Sequence, residues 1–222
     1  MPKIVVFDSG FGGELFADRV EDLFPNLEVI RVIDWRHAHE YVKNRLSARA
    51  AAEKALGPYI GKVDVIMLAN HLLSVDIGYF RHRHKNQKFS GFDLAIPCRC
   101  RAKSKPENAL VLTTKSVRVT PKYLTFKRRI NMKTKTINCD DWVELIDNGE
   151  LTDSQITERL NRAITKKFHP QVIILACTQF ADIKQNLRAM FGPVVAIEDG
   201  HYDALKNLCA ALDTKGYHIK SR

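Results

Sequence analysis

The chain lacks any continuous apolar run approaching the roughly 18 to 20 residues that a membrane-spanning helix requires, so no membrane partner is expected. Its start, MPKIVVFDSG, has none of the charged, apolar and cleavage regions of a secretory leader, which sets the expectation of a cytoplasmic protein. A disulfide framework is missing as well. The five cysteines, at 98, 100, 139, 177 and 209, are odd in number and irregular in spacing, in a 222-residue chain large enough to fold on its own core. Reduced thiols follow. Low-complexity linkers are absent, and acidic residues nearly vanish from one stretch. Between Arg81 and Lys135 only Asp93 and Glu107 oppose 16 lysines and arginines, leaving 19 basic against 23 acidic residues elsewhere. An ordinary solvated basic face is the plainer account of this stretch, and anionic partners are its functional one. No nucleic-acid motif accompanies Lys127-Arg128-Arg129, so nucleic acid ranks below a small carboxylate among expected partners.

What is present alternates. Lys3 to Phe7 is a β-branched apolar run ending in Asp8-Ser9-Gly10-Phe11-Gly12-Gly13, after which Leu15, Phe16, Val20, Leu23 and Phe24 recur at helical spacing before Pro25. Leu27 to Ile33 reads as a second strand, Ser47 to Ile60 as a helix, and Val63 to Leu68 as a strand entering Ala69-Asn70-His71. The second half repeats the plan, with strands at Ala109 to Leu112 and Val172 to Ala176 leading into Thr113-Thr114 and Cys177-Thr178-Gln179. Between them Thr152 and Gln155 have capping-box spacing, which predicts a helix starting near Asp153. After Cys177, residues Phe180, Ile183, Leu187 and Met190 share a helical face, and Gly192-Pro193 supplies a stop.

Ser9 and Thr114 are 105 positions apart, and Ala69 and Cys177 are 108 apart. This near-constant offset predicts an α/β protein of two pseudo-symmetric domains, each a mainly parallel sheet flanked by helices, with the ligand cleft between them. The expected domains are residues 1–94 plus 195–222 and residues 95–194, with a crossover over 81–106. Ligands of parallel sheets bind beyond the carboxyl ends of the strands, which selects Asp8, Ser9, Asn70, His71, Thr114, Cys177 and Thr178. Each has a plainer role: Asp8, Ser9 and the threonines as helix caps, Cys177 as a small core residue, His71 as a wall histidine. His82-x-His84 and Cys98-x-Cys100 contain metal-ligand types, but their spacing departs from zinc motifs and no metal is expected.

The residues Val5-Val6-Phe7-Asp8-Ser9-Gly10-Phe11-Gly12-Gly13 resemble the opening of the glutamate racemases and the wider cofactor-independent aspartate/glutamate racemase superfamily. Leu175-Ala176-Cys177-Thr178 is similar to the family's second cysteine motif, and Val111 to Thr114 with Tyr123 to its threonine turn and tyrosine helix. Cys139 through Trp142, Leu145 and Asp147 to Gly149 resembles the segment that brings an acidic residue, here Asp147, toward that cysteine. An exposed carboxylate before the Asn148-Gly149 turn is the other reading of Asp147. The resemblance implies two-base chemistry with no cofactor, on a small amino-acid or carboxylate ligand, in a homodimer. One cysteine thiolate removes the α-proton and a second thiol returns one to the opposite face.

Against that pattern three departures stand out. Ala69-Asn70-His71 occupies the place of cysteine-asparagine-threonine, and a methyl group cannot transfer a proton. Cys177-Thr178-Gln179 lacks the family's histidine. His39-Glu40-Tyr41 follows Asp34 where proline-tyrosine-glycine is the family's substrate contact. Three readings remain open: an isomerase in which Cys177 is joined by His71 as second acid/base, a one-base enzyme such as a lyase or decarboxylase working through Cys177, and a non-catalytic binder using the cleft or the basic 81–135 surface.

Overall fold

Ile4, Val5, Val6 and Phe7 have no solvent-accessible surface, on either side of their strand. A strand apolar on both faces belongs in the middle of a parallel sheet covered by helices on two sides, and that is its place. In the computed structural model, residues 1–43, 45–92, 107–130, 132–165 and 167–213 are described. The chain divides into two units, Met1–Asp93 with Gly200–Arg222, and Leu94–Asp199.

The first unit runs β1 (Lys3–Asp8), α1 (Phe11–Leu23), β2 (Glu28–Ile33), α2 (Ala38–Lys43), α3 (Arg45–Leu56), β3 (Val65–Leu68), α4 (His71–Val75), α5 (Ile77–Arg83) and β4 (Lys88–Gly91). The second runs β5 (Asn108–Thr113), α6 (Lys115–Arg118), α7 (Pro121–Arg129), β6 (Lys133–Asn138), α8 (Asp140–Asp147), α9 (Asp153–Ala163), β7 (Val172–Ala176), α10 (Lys184–Phe191) and β8 (Ala196–Glu198). Helix α11 (His201–Asp213) then belongs to the first unit. Every strand pair is parallel, and the two sheets have the same order, β2-β1-β3-β4 and β6-β5-β7-β8. The expected class, a two-domain α/β fold of parallel sheets, is the observed one.

In the first unit Phe16, Ala17, Val20 and Phe24 of α1 join Ala204, Leu205, Leu208 and Leu212 of α11 against Ile4, Val6, Val65 and Met67 of the sheet. Each large apolar side chain buried in this way contributes about 1.5–3 kcal/mol. In the second unit the capping box forms as predicted: Thr152 Oγ1 accepts from Gln155 N at 3.3 Å, and the Gln155 side chain accepts from Thr152 N at 2.8 Å.

Three local expectations change. The crossover expected over 81–106 begins instead with the end of α5 and an edge strand, β4, paired to β3; residues 93–106 are outside the described set. The helix expected after Cys177 is broken into a 3-10 turn, Thr178–Ala181, and α10. Phe180, Ile183 and Leu187 are buried on either side of that break, whereas Met190 is exposed. Lastly, β8 extends the second sheet beside β7, so the units divide at Asp199 and Gly200. Among the described residues no helix is long and apolar enough to cross a membrane.

One buried charge ties the helical layer of the first unit together. Asp76, between α4 and α5, receives Arg45 Nε at 2.9 Å and Arg49 Nε at 2.8 Å, with Arg45 Nη2 on its other oxygen. Arg49 also lies over the Tyr79 ring, 4.7 Å from its centroid. Burial raises the Asp76 pKa, but the hydrogen bonds and charges of the two arginines outweigh it and hold the carboxyl below its ordinary value. A depressed folded pKa stabilises the fold above the unfolded carboxylate value of about 3.9 and ceases to do so as pH falls through the lower folded value. Asp76→Asn is therefore expected to lower stability at neutral pH by about 1.5–3 kcal/mol, the worth of charged hydrogen bonds. In urea titrations across pH 2 to 7, the difference from the parent protein should shrink toward the acid end.

Candidate active site

Strand order locates the sites. In each sheet the chain passes from the first strand outward to the second and then back across the first to the third. The loops leaving the first and third strands therefore diverge, opening a crevice at their carboxyl ends. In the first unit those strands are β1 and β3, which deliver Asp8-Ser9 and Asn70-His71. In the second they are β5 and β7, which deliver Thr113-Thr114 and Cys177-Thr178.

In the first unit Asp8 is wholly buried, and Ser9, Asn70 and His71 are buried beside it. Asp8 Oδ1 accepts from the Ser9 backbone N–H at 2.7 Å and from Asn70 Nδ2 at 2.9 Å. Asn70 Nδ2 also reaches Ser9 Oγ at 3.2 Å, while its Oδ1 accepts from Leu73 N at 3.2 Å and so caps α4. One amide thus serves as helix cap and as donor to the carboxylate. The backbone must come close for this to work. A Cβ on Gly13 would stand 2.4 Å from Asp8 Cβ and 2.8 Å from Ile33 Cδ1. His71 turns elsewhere: its ring packs against Phe92 with centroids 4.9 Å apart, in a cluster with Phe16 and His201.

In the second unit Thr113 pairs with Ala176, so Thr114 and Cys177 leave adjacent strands side by side. Thr114 Oγ1 caps α6, accepting from Val117 N at 3.5 Å, and lies 3.1 Å from Ser116 Oγ. The Cys177 thiol donates to Gln179 Oε1 at 2.9 Å, and Thr178 Oγ1 donates to the same oxygen at 3.3 Å. Asp147 closes α8, half-buried; this helix packs on the turn after Cys177 through Trp142 and Phe180, with centroids 6.2 Å apart. Cys139 is a different kind of thiol. It has no exposed surface, and burial pushes its pKa up to about 12.

Strand register revises the internal overlay by one residue. Phe7 is level with Leu68 in the first sheet, and Leu112 is level with Leu175 in the second. With Phe7 placed on Leu112, Ala69 falls on Ala176, and Asn70 falls on Cys177. Both Asn70 and Cys177 are extended cap residues of the turn that follows their strand. Ala69 itself is fully buried in the apolar cluster of β3 and the covering helices.

A group that the spacing did not single out is Asp34 with His37 and Tyr41, at the carboxyl end of β2. Asp34 and Tyr41 stand out in the sequence only through the departure from the family's proline-tyrosine-glycine, and nothing there points to His37. The metal-type residues divide: His84 Nε2 bonds the Glu53 carboxylate at 2.9 Å, whereas Cys98 and Cys100 lie outside the described residues. On α7, Lys122, Lys127, Arg128 and Arg129 are exposed.

No family model matches the chain. Glutamate racemases match it along nearly its whole length. That of Bifidobacterium longum subsp. infantis is 22% identical, covering 96% of this chain and 86% of the relative. That of Clostridium botulinum is 25% identical, covering 94% and 83%. Among solved structures, Escherichia coli glutamate racemase in complex with L-glutamate and an activator superposes with a TM-score of 0.84 at 19% identity, covering 99% of this chain and 85% of that one. The Picrophilus torridus aspartate racemase superposes at 0.63 and 16% identity, covering 99% and 95%. Two parallel sheets of equal order, each with polar residues at its switch point, define a duplicated α/β fold, the one those racemase structures have. The chain is similar in sequence to glutamate racemases, and in fold to solved glutamate and aspartate racemases.

Gly13→Ala tests how closely Asp8 is enclosed. Alanine ordinarily improves a helix by about 1 kcal/mol over glycine, but here its methyl meets the Asp8 Cβ. A net loss of about 1–3 kcal/mol, the usual cost of overpacking, is expected in urea unfolding.

Proposed function

We propose that the chain binds a small amino or carboxylic acid of the glutamate or aspartate type and exchanges its α-proton through Cys177, without a cofactor. The observation that carries this reading is the position of the Cys177 thiol, on the cap residue at the end of β7, hydrogen-bonded to a polar side chain at 2.9 Å. Among the described residues the other thiols, Cys139 and Cys209, have pKa values raised by burial; Cys139 follows β6, with its backbone N–H on the Thr113 carbonyl, and Cys209 lies on α11.

An α-proton is weakly acidic, so its removal needs a positioned base and donors for the charge that develops on the carboxylate. The hydroxyls of Thr114 and Thr178 supply donors beside Cys177, and Asp8, Ser9 and Asn70 form the polar group at the corresponding switch point of the first unit. Gln179 takes over the tuning that the family assigns to histidine. Its carbonyl accepts the S–H of the thiol, and the same amide turned over would offer N–H to a thiolate. One side chain then serves both protonation states, with less bias toward the thiolate than a cation would give. Asp147, on the helix that packs behind the Cys177 turn, is a supporting acid in this scheme. Because Ala69 carries no transferable proton, the thiol serves only the enantiomer whose α-hydrogen it reaches.

In deuterated buffer, the separate enantiomers of glutamate, aspartate and related acids are followed by loss of the α-proton NMR signal. One enantiomer of the accepted acid should exchange, and Cys177→Ala should slow that exchange by at least about 10²-fold, the typical worth of a general base. Exchange of both enantiomers at parental rates in Cys177→Ala, or exchange of none of the acids by the parent protein, would overturn the assignment. Gln179→Leu should retain binding and slow exchange, as read from saturation curves.

A further inference from the structure

From β5 through α6 and α7 to β6, positions 108 to 139 hold eight lysines and arginines and no aspartate or glutamate. Helix α7 is held against the sheet by one apolar stripe. Tyr123, Phe126 and the cap residue Ile130, spaced three and four apart, are buried, and Tyr123 Oη lies 2.9 Å from Thr136 Oγ1 of β6. Its start is fixed as well. Thr120 Oγ1 accepts from Tyr123 N at 3.2 Å and donates to the Val117 carbonyl at 2.7 Å, and Pro121 takes the first helical position. With that stripe turned inward, Lys122 and Arg129 fall on one flank, Lys127 on the other, and Arg128 on the outward line. All four are exposed, as is Arg118 at the end of α6.

The helix's own electrostatics do not account for these charges. Cations in the last turn complement the helix dipole, which suits Lys127, Arg128 and Arg129. Lys122, however, stands in the first turn, where that field is unfavourable to it and no acidic residue is present. Nor is this a solvated face of mixed sign. Arg118, Lys127, Arg128 and Arg129 form no ion pair among the described residues, whereas every other described arginine of the unit is bonded. Arg159 meets Asp141 at 2.7 Å, Arg162 meets Glu158, and Arg188 donates to the Gly192 and Pro193 carbonyls. Asp140 accepts from the Lys115 backbone N–H at 2.9 Å and so borders the patch where α6 begins.

We propose that Arg118, Lys122, Lys127, Arg128 and Arg129 bind a double-stranded nucleic acid through its phosphate backbone, without reading base sequence. A duplex carries one negative charge per about 1.7 Å of axis. At about 1.5 Å per residue the nine residues of α7 span roughly 13 Å, so one helix faces several phosphates at once. Helices α6 and α7 contain none of the Asn, Gln, Asp or Glu side chains by which adenine and cytosine are read. A single strand calls for aromatic platforms, and the rings of α7, Tyr123 and Phe126, are turned to the sheet. A membrane surface calls for an apolar helix face to insert. That of α7 is already packed on the sheet, and Leu124 and Val119 are the exposed large apolar side chains beside the cations. The surface lies within the second unit and does not depend on the proton-transfer chemistry of Cys177.

Binding is read by fluorescence anisotropy of labelled mixed-sequence duplexes, DNA and RNA in separate arms, over a series of salt concentrations. With three to five phosphates contacted, log K should fall against log salt with a slope of about −2.7 to −4.5. Lys127→Gln with Arg128→Gln and Arg129→Gln should make that slope shallower by about 2.7 and weaken binding at least about tenfold. Lys127→Arg with Arg128→Lys and Arg129→Lys keeps the charge and should keep the slope. The matched control is in the first unit, where Lys54, Lys85 and Lys88 are exposed. Lys54→Gln with Lys85→Gln and Lys88→Gln removes the same charge and should leave the slope as in the parent, and Cys177→Ala should bind as the parent does. The proposal is overturned if neither duplex binds at low salt, or if the two glutamine triples lose binding alike. Tighter binding of single strands, polyglutamate or phosphatidylserine vesicles than of duplexes overturns it as well, since the surface then serves a different anion.

Discussion

Asp8 is a carboxylate with no accessible surface at the end of a strand that is itself buried on both faces. Taking such a group out of water is costly unless its oxygens find donors. The first unit is arranged around that need. The turn after β1 brings the Ser9 N–H back to the side chain, Asn70 crosses from β3, and the absent side chain of Gly13 leaves room for the carboxylate against α1. The segment after β2 is hung from the Asp8 carbonyl. Remove the Ser9 or the Asn70 donor and the carboxylate is left less well matched.

The second unit has the same sheet order but no carboxylate at the matching place. Thr113 stands where Asp8 does by register, and its hydroxyl bonds a local backbone carbonyl at 3.3 Å. With Thr113 in place of a carboxylate, the cap residue on the neighbouring strand need not be an amide. In the first unit that residue must be an amide, since it feeds Asp8 and caps α4 together; in the second it is Cys177, whose thiol is left for Gln179. The two units thus differ at one residue at the end of the central strand, Asp8 in the first and Thr113 in the second.

How much of this was legible in the sequence depended on how local the cause was. Strands β1, β5 and β7 are central, so burial on both faces demands continuous apolar runs, and those were readable. The capping box of Thr152 and Gln155 was readable because both partners lie within four residues. Strands β4 and β6 were not: KFSG is too short, and KTKTIN is an edge strand that keeps lysines toward solvent. The candidates Asp8, Ser9, Asn70, Thr114, Cys177 and Thr178 followed from strand ends. Their pairing was off by one, because the level of each residue is set by hydrogen bonds between strands distant in sequence. For Asp34, His37 and Tyr41 the sequence held only residue types; their relation to Asp8 appears once β1 and β2 are adjacent.

A duplicated sheet determines where polar groups can be presented, at the carboxyl ends of its inner strands, but not which of them can move a proton. Ala69 lies one position inside that edge, in the apolar core of its unit. Restoring a thiol there would have to draw sulfur out of the contacts that the methyl now makes with the covering helices.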